Sequence, residues 1–292
     1  MLQSNLRKEY NLNHVKFQWQ ARDGKELFAQ KWDAGKNSRA AILLVHGLGE
    51  HSSRYAKWAS KLVEEGISVL SFDFRGHGQT PGKPGQISDY HKLLNDVDLL
   101  IEKGKDEFKN QQLFLYGHSM GGNLVANYAI MHTTDLCGII LTSPWFELTN
   151  IPPVLKLNSA LFLSKIMPWV VARSGIKPEH MSRELREVHM YKSDPLIHDK
   201  LSLGLFRKAF EQGKVAKRSI YKINAPLLVM HGTSDQVTSY KASREFISNA
   251  SDKTTFVEWD GGYHELHNDI ESDKVFLKLM QLLNELIVKC NA

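Results

Sequence analysis

A chain of 292 residues, 42% hydrophobic and 24% charged, has the composition of a soluble globular protein and is long enough for one large domain or two small ones. Its formal charge of +5, from 37 basic and 32 acidic residues, is a mild excess spread along the chain. The densest basic stretch, KVAKRSIYK at 214–222, is too short and too mixed for a nucleic-acid surface; it reads as a solvated helix face, with weak attraction to an anionic membrane or substrate as the alternative.

In chain order, the opening MLQSNLRKEYNLN lacks the apolar core of a signal peptide, so a cytoplasmic protein is expected. HVKFQWQARDGKELFAQKW then alternates apolar and polar residues around Asp23-Gly24, a pair that supplies the positive φ angles of a tight β-hairpin. Continuous apolar runs follow at 40–47 (AAILLVHG), 67–76 (ISVLSFDFRG), 112–117 (QLFLYG), 136–143 (LCGIILTS) and 226–232 (PLLVMHG). Helix-like stretches lie between them, such as HSSRYAKWASKLVEEG and SDYHKLLNDVDLLIEKGKDEF, the second with Leu93, Leu94, Val97, Leu100 and Ile101 at helical spacing. TTFVEWD (254–260) and DKVFLKLMQLLNELIVK (273–289) supply a last strand and a last helix. Strands apolar on both faces that alternate with helices predict an α/β protein: a mostly parallel central sheet, an N-terminal antiparallel hairpin and helices on both faces.

The alternation breaks between about 144 and 224, where helix-like, apolar-rich segments occur and no buried-strand run appears until Pro226. Its most apolar part, SALFLSKIMPWVVA at 159–172, is interrupted by Lys165 and Pro168 and is too short to span a bilayer. The expected organisation is a core of 1–143 and 225–292, with 144–224 inserted as a helical cap, or lid, on the side where the strands end. The only two cysteines, Cys137 and Cys290, lie far apart, and Cys137 reads as a small hydrophobe in LCGIILT. No disulfide framework and a reducing compartment are expected.

GHSMG (117–121) fits G-x-S-x-G between the strand run QLFLY and the helix-like GGNLVANYAIMH. A turn this tight leaves little room for side chains two residues to either side of Ser119, and Gly117 and Gly121 meet that need; a serine that only capped a helix would not require both. Serine needs a base, itself oriented by a carboxylate, and in hydrolases with such an elbow these follow in the order acid, then histidine. Asp235, after PLLVMHG, and His264, after TTFVEWD, sit at carboxyl ends of strands in that order. Asp235 competes with a reading as helix cap, Asp260 shares the loop of His264 and is badly placed as a separate partner, and His267 is expected to begin the last helix. His264 and Asp269 also spell H-x4-D, a spacing used by some acyltransferases and read here as coincidence. For the oxyanion, the turn HGLGE (46–50) suits a backbone N–H from Leu48, with a second from Met120. His46, Arg75 and His77 are expected to brace loops, and His118 to shape the elbow.

HGLGEHSSRY, FDFRGHGQTPG, YGHSMGG, HGTSDQVT and GGYHELHN, in this order between about residues 40 and 268, together resemble the monoglyceride lipase and lysophospholipase family of α/β-hydrolases. YKSDPL, from Tyr191, resembles the segment that closes that family's cap. The resemblance implies an α/β-hydrolase fold and a serine esterase acting on single-chain glycerolipids, with Ser119, Asp235 and His264 as triad and Leu48 and Met120 as oxyanion donors. It also names Glu50, Arg54, Glu187 and Tyr191 as head-group candidates, although Glu50 and Arg54 also suit a structural role pinning the oxyanion loop, the reading favoured for Glu50. Apolar cap residues, including Leu155, Leu161, Phe162 and Trp169, suit either an acyl-chain lining or packing on the core. Transient membrane contact through the cap is a further expectation, opposed by the scarcity of flanking basic residues.

The expected function is release of a fatty acid from monoacylglycerols through an acyl-enzyme, with no metal or organic cofactor and a lipid ester as the only implied partner. A lysophospholipase, carboxylesterase, thioesterase or acyltransferase would keep the same site. A non-catalytic hydrolase-like binding protein is the alternative of a different class, and the intact triad and elbow glycines speak against it.

Overall fold

Because their residues are apolar on both faces, the continuous runs become neighbouring strands in the interior. The computed structural model describes residues 13–290 apart from Ser88; the opening stretch read for a signal peptide lies, but for Asn13, outside them. The hairpin strands β1 (Asn13–Gln20) and β2 (Glu26–Asp33) are followed by β3 (Ala40–Val45), β4 (Ile67–Phe72), β5 (Gln112–His118) and β6 (Gly138–Thr142). A separate antiparallel pair, β7 (Val171–Arg173) and β8 (Lys200–Ser202), precedes β9 (Leu227–Gly232) and β10 (Thr254–Trp259). The main sheet runs in the order β1-β2-β4-β3-β5-β6-β9-β10. It is antiparallel at β1–β2 and β2–β4 and parallel from β4 to β10. The Asp23-Gly24 turn closes the hairpin as expected, with Gly24 at φ 81°.

The helices are α1 (Ala56–Glu64), α2 (Tyr90–Glu107), α3 (Met120–Met131), α4 (Val154–Ile166), α5 (Leu185–Ser193), α6 (Leu203–Ser219), α7 (Tyr240–Ile247) and α8 (Ser272–Cys290). Ala41, Leu43 and Val45 of β3 pack toward α2, α3, α6 and α7, while Ile42 and Leu44 pack toward α1 and α8. Each such leucine or isoleucine, buried from both sides, contributes on the order of 1.5–3 kcal/mol of transfer free energy. This two-sided burial is what makes the runs continuous rather than alternating.

Between β6 and β9 the chain adds nothing to the main sheet. The strands β7 and β8, three residues each, were not legible as apolar runs: β7 is half-buried or exposed throughout, and β8 buries only Leu201 and the polar Ser202. α6 lies closely on the core, where Asn123 Nδ2 of α3 donates to the Ala209 carbonyl at 3.1 Å. α4 is different: Val154, Leu155, Phe162 and Ile166 are all more than half exposed. Among the described residues no helix is long and apolar enough to cross a membrane.

The expectation of two free thiols is corrected. Cys137 and Cys290 form a disulfide, with their Cα atoms 5.6 Å apart across 153 residues of sequence. α8 runs back along the sheet and ends beside the residue that leads into β6. Separation in sequence therefore said nothing about separation in space.

Candidate active site

Ser119 sits between β5 and α3 at φ 54° and ψ −116°, a left-handed conformation that costs a non-glycine residue free energy. The surroundings enforce it. The Ser119 N–H donates to the Thr142 carbonyl (3.0 Å), and the Ser119 carbonyl accepts from Trp145 N–H (2.9 Å) and Asn123 N–H (3.0 Å). The glycine requirement is steric: a Cβ on Gly117 would stand 2.6 Å from the Gly121 carbonyl oxygen, and one on Gly121 would stand 2.2 Å from that of Val45.

The strand ends bring three distant residues into one line. Ser119 Oγ lies 2.9 Å from His264 Nε2, and His264 Nδ1 lies 2.8 Å from Asp235 Oδ2. All three are buried. Asp235 is the most heavily bonded: Oδ1 accepts the N–H groups of Val237 (2.7 Å) and Thr238 (3.0 Å), and Oδ2 accepts the Thr238 hydroxyl (2.9 Å). Burial works against its charge, but the charge of His264 and the hydrogen bonds from His231 and His264 outweigh it and hold the carboxyl far below the usual range. Burial likewise disfavours a charged His264, but Asp235 first, then Glu265 and Glu50, raise its pKa above the ordinary imidazole value.

The rival candidates are engaged elsewhere. Ser239, not Asp235, caps α7, accepting the Ala242 N–H at 3.2 Å. Asp260 faces the Thr233 hydroxyl, and Asp269 is engaged by Arg183 Nε (2.9 Å) and by Tyr263 N–H (3.0 Å). His267 does not begin the last helix; it lies in the 3-10 turn Leu266–Asn268, stacked on Tyr55 with ring centroids 4.6 Å apart. His118 faces the Thr142 hydroxyl at 3.1 Å, His46 Nε2 accepts the Phe74 N–H at 3.0 Å, and Arg75 binds Asp23 and Asp96. The N–H groups of Leu48 and Met120 have no hydrogen-bond partner among the described residues.

Two recesses meet at Ser119. The larger, about 200 Å³, is mostly apolar and is walled by Leu48, Trp145, Leu157, Ala160, Phe206 and Val237. The smaller, about 10 Å³, is lined by Glu50, Tyr191, His264 and Glu265. There Arg54 lies 2.5 Å from Glu265 and 3.4 Å from Glu50, with its guanidinium 4.7 Å from the centre of the Tyr191 ring. One guanidinium serves two buried carboxylates, and the nearer one gains more. Arg54 overcomes burial to lower the Glu265 pKa, whereas burial and then the charge of Glu265 raise that of Glu50. Glu50 Oε1 accepts the Gly47 N–H (2.5 Å) and the Tyr55 hydroxyl (2.8 Å), while its buried Oε2 faces Arg54 Nε at 3.4 Å and has no hydrogen-bond partner among the described residues. Glu187 is not among the residues lining either recess; its nearest cation is Lys57, at 3.9 Å. Glu265 and His231 were missed in the sequence. For His231 a signal existed, a histidine closing the strand four residues before Asp235; for Glu265 the only signal was its place next to His264.

A mostly parallel sheet with this elbow and these strand-end loops defines a serine hydrolase of the α/β-hydrolase fold. The chain belongs to the serine aminopeptidase S33 family, whose profile matches residues 36–271. It is similar to the monoglyceride lipase homolog of Monkeypox virus, with 30% identity over 89% of this chain and 93% of that protein. It is 31% identical over 91% of its length to an uncharacterized abhydrolase domain-containing protein of Dictyostelium discoideum, of which it spans 28%. Among solved structures, a soluble variant of monoglyceride lipase from Saccharomyces cerevisiae, in complex with a substrate analogue, superposes with a TM-score of 0.84. The two are 26% identical, and the match covers 94% of this chain and 95% of that one.

Proposed function

We propose that the protein hydrolyses monoacylglycerols through an acyl-enzyme formed on Ser119. The observation that carries this reading is the unbroken hydrogen-bonded line from Ser119 through His264 to Asp235 at the foot of an apolar recess. His264 takes the Ser119 proton as Oγ attacks the ester carbonyl, and Asp235 holds the imidazole tautomer and balances the imidazolium. The N–H groups of Leu48 and Met120 receive the oxyanion, each worth roughly 10²–10³ in turnover. His264 then gives its proton to the departing glycerol oxygen, and a water molecule activated by the same base releases the fatty acid.

The larger recess takes the acyl chain and the smaller one the glycerol. Tyr191 and Glu50 Oε2, which has Arg54 Nε 3.4 Å away, offer hydrogen-bonding groups to a hydroxyl, and Arg54 orients both. Segment 144–224 serves as the cap, with α6 as its fixed base. The exposed apolar residues of α4, together with Trp169, dock transiently on a lipid surface while substrate enters.

The test is a substrate panel with wild type and Ser119→Ala: monoacylglycerols of rising chain length, a lysophospholipid, a diacylglycerol, a short p-nitrophenyl ester and an aminoacyl anilide. Release from monoacylglycerols that requires Ser119 and exceeds the others supports the reading. Preference for lysophospholipid or anilide replaces the substrate, and turnover retained by Ser119→Ala removes the mechanism.

A further inference from the structure

The carboxylate beside His264 carries a second imidazole that the reaction as described does not use. His231 closes the buried end of β9, and its side chain is fully inaccessible to solvent. Its Nε2 lies 3.1 Å from Asp235 Oδ2, the same oxygen that faces His264, and 3.2 Å from the Thr238 carbonyl. Both neighbours are hydrogen-bond acceptors, so Nε2 carries a hydrogen. Nδ1 lies 2.8 Å from Ser243 Oγ on α7, a hydroxyl that can donate to it. The ring is thus gripped at both nitrogens, with its N–H aimed at the carboxylate.

We propose that His231 is a positioning residue: its N–H holds Asp235 in register and draws off part of the carboxylate charge, so that the Asp235–His264 pair stays deprotonated to lower pH. The proposal rests on the triad reading. The physical argument has two branches with the same sign. Without the His231 N–H, Asp235 presents a fuller charge to His264 and makes the imidazolium easier to form. Asp235, with one donor fewer in a water-poor site, is itself also easier to protonate. Either route moves proton uptake by the coupled pair to higher pH. The other groups facing the pair are Glu50 and Glu265 with Arg54 between them, the rings of His118 and His267, and Tyr240, whose ring centre is 6.1 Å from that of His231. None changes in the variants below, so a difference between profiles belongs to His231.

The experiment is kcat/KM against pH on a short, soluble ester for wild type, His231→Leu, His231→Gln and Ser243→Ala, with Ser119→Ala as control and thermal melts to establish folding. His231→Leu is expected to move the acid limb up by roughly half to one pH unit. Its kcat is expected to fall on the order of tenfold with little change in KM. His231→Gln, which keeps a donor near the Nε2 position, is expected to keep the limb close to the wild-type position. A folded His231→Leu with an unmoved limb overturns the proposal, as do equal shifts in the Leu and Gln variants. If His231→Leu does not fold, Ser243→Ala decides, because it releases Nδ1 and lets the ring swing its N–H away from Asp235: a limb moved up supports the proposal and an unmoved one overturns it. Turnover retained by Ser119→Ala overturns the triad reading itself, whereas a dead Ser119→Ala with unmoved limbs removes only the role of His231.

Discussion

Ser119, which lines the apolar recess, and Phe162, on the exposed face of α4, are held in place very differently. Ser119 has its N–H and carbonyl bonded to β6 and the residues after it, with glycines two positions to either side. Phe162, on α4, leaves more than half its surface open, as do Val154, Leu155 and Ile166. The floor of the site is fixed by backbone sterics and buried hydrogen bonds, which tolerate few residue types. The face above is held by few contacts and tolerates many. The residues around Ser119 are therefore constrained by geometry, and the exposed face of α4 is not.

The largest expected effect tests the floor. Asp235→Asn is predicted to cut kcat by about 10³–10⁴, because an amide beside Nδ1 favours the wrong histidine tautomer, while the melting temperature stays close to wild type. In the wild type, kcat/KM should rise with pH along a limb centred above the ordinary imidazole pKa. The base must be neutral to act, and Asp235, Glu265 and Glu50 outweigh burial to raise its pKa. A limb centred below the ordinary value would detach His264 from the role of base.

Next comes Arg54→Ala, which strands Glu265 in a buried site without a cation; a loss of about 3–5 kcal/mol at neutral pH is expected from denaturant unfolding. The sign with pH is fixed by the lowered pKa of Glu265, whose stabilisation exists above its unfolded-state pKa and fades as pH falls through the folded value. The gap between wild type and variant should therefore narrow in acid. A constant gap would mean that Arg54 acts through packing on Tyr191 rather than through charge.

Much of the floor was legible because its constraints are local or are set by strand ends. Gly117 and Gly121 announce a turn that nothing larger fits, and Asp235 and His264 follow apolar runs whose ends must share one edge of a parallel sheet. Partnerships across long separations were not legible. Glu265 meets Arg54 across 211 residues, and Cys137 meets Cys290 across 153, by the return path of the chain rather than by any pattern. The disulfide supplies a third test, remote from both regions. Cys290→Ala should lower the stability of oxidised protein by roughly 2–4 kcal/mol. It should leave kcat unchanged, because the bond ties α8 to the start of β6 and not to the strand ends that carry the site.

The smallest effect on stability and the sharpest contrast come from α4. Phe162→Ser should shift folding free energy by no more than about 0.5 kcal/mol, since the side chain is 63% exposed. If that face docks on lipid, burying a phenylalanine there contributes roughly 1.5–3 kcal/mol, about ten- to a hundredfold in partitioning. Turnover of a monoacylglycerol carried in vesicles should then fall about tenfold, while turnover of a short ester in solution stays at the wild-type rate. Equal losses on both substrates would place Phe162 in the acyl path, joining it to the floor. Loss on neither would make α4 an ordinary surface helix and leave lipid entry to another part of the cap.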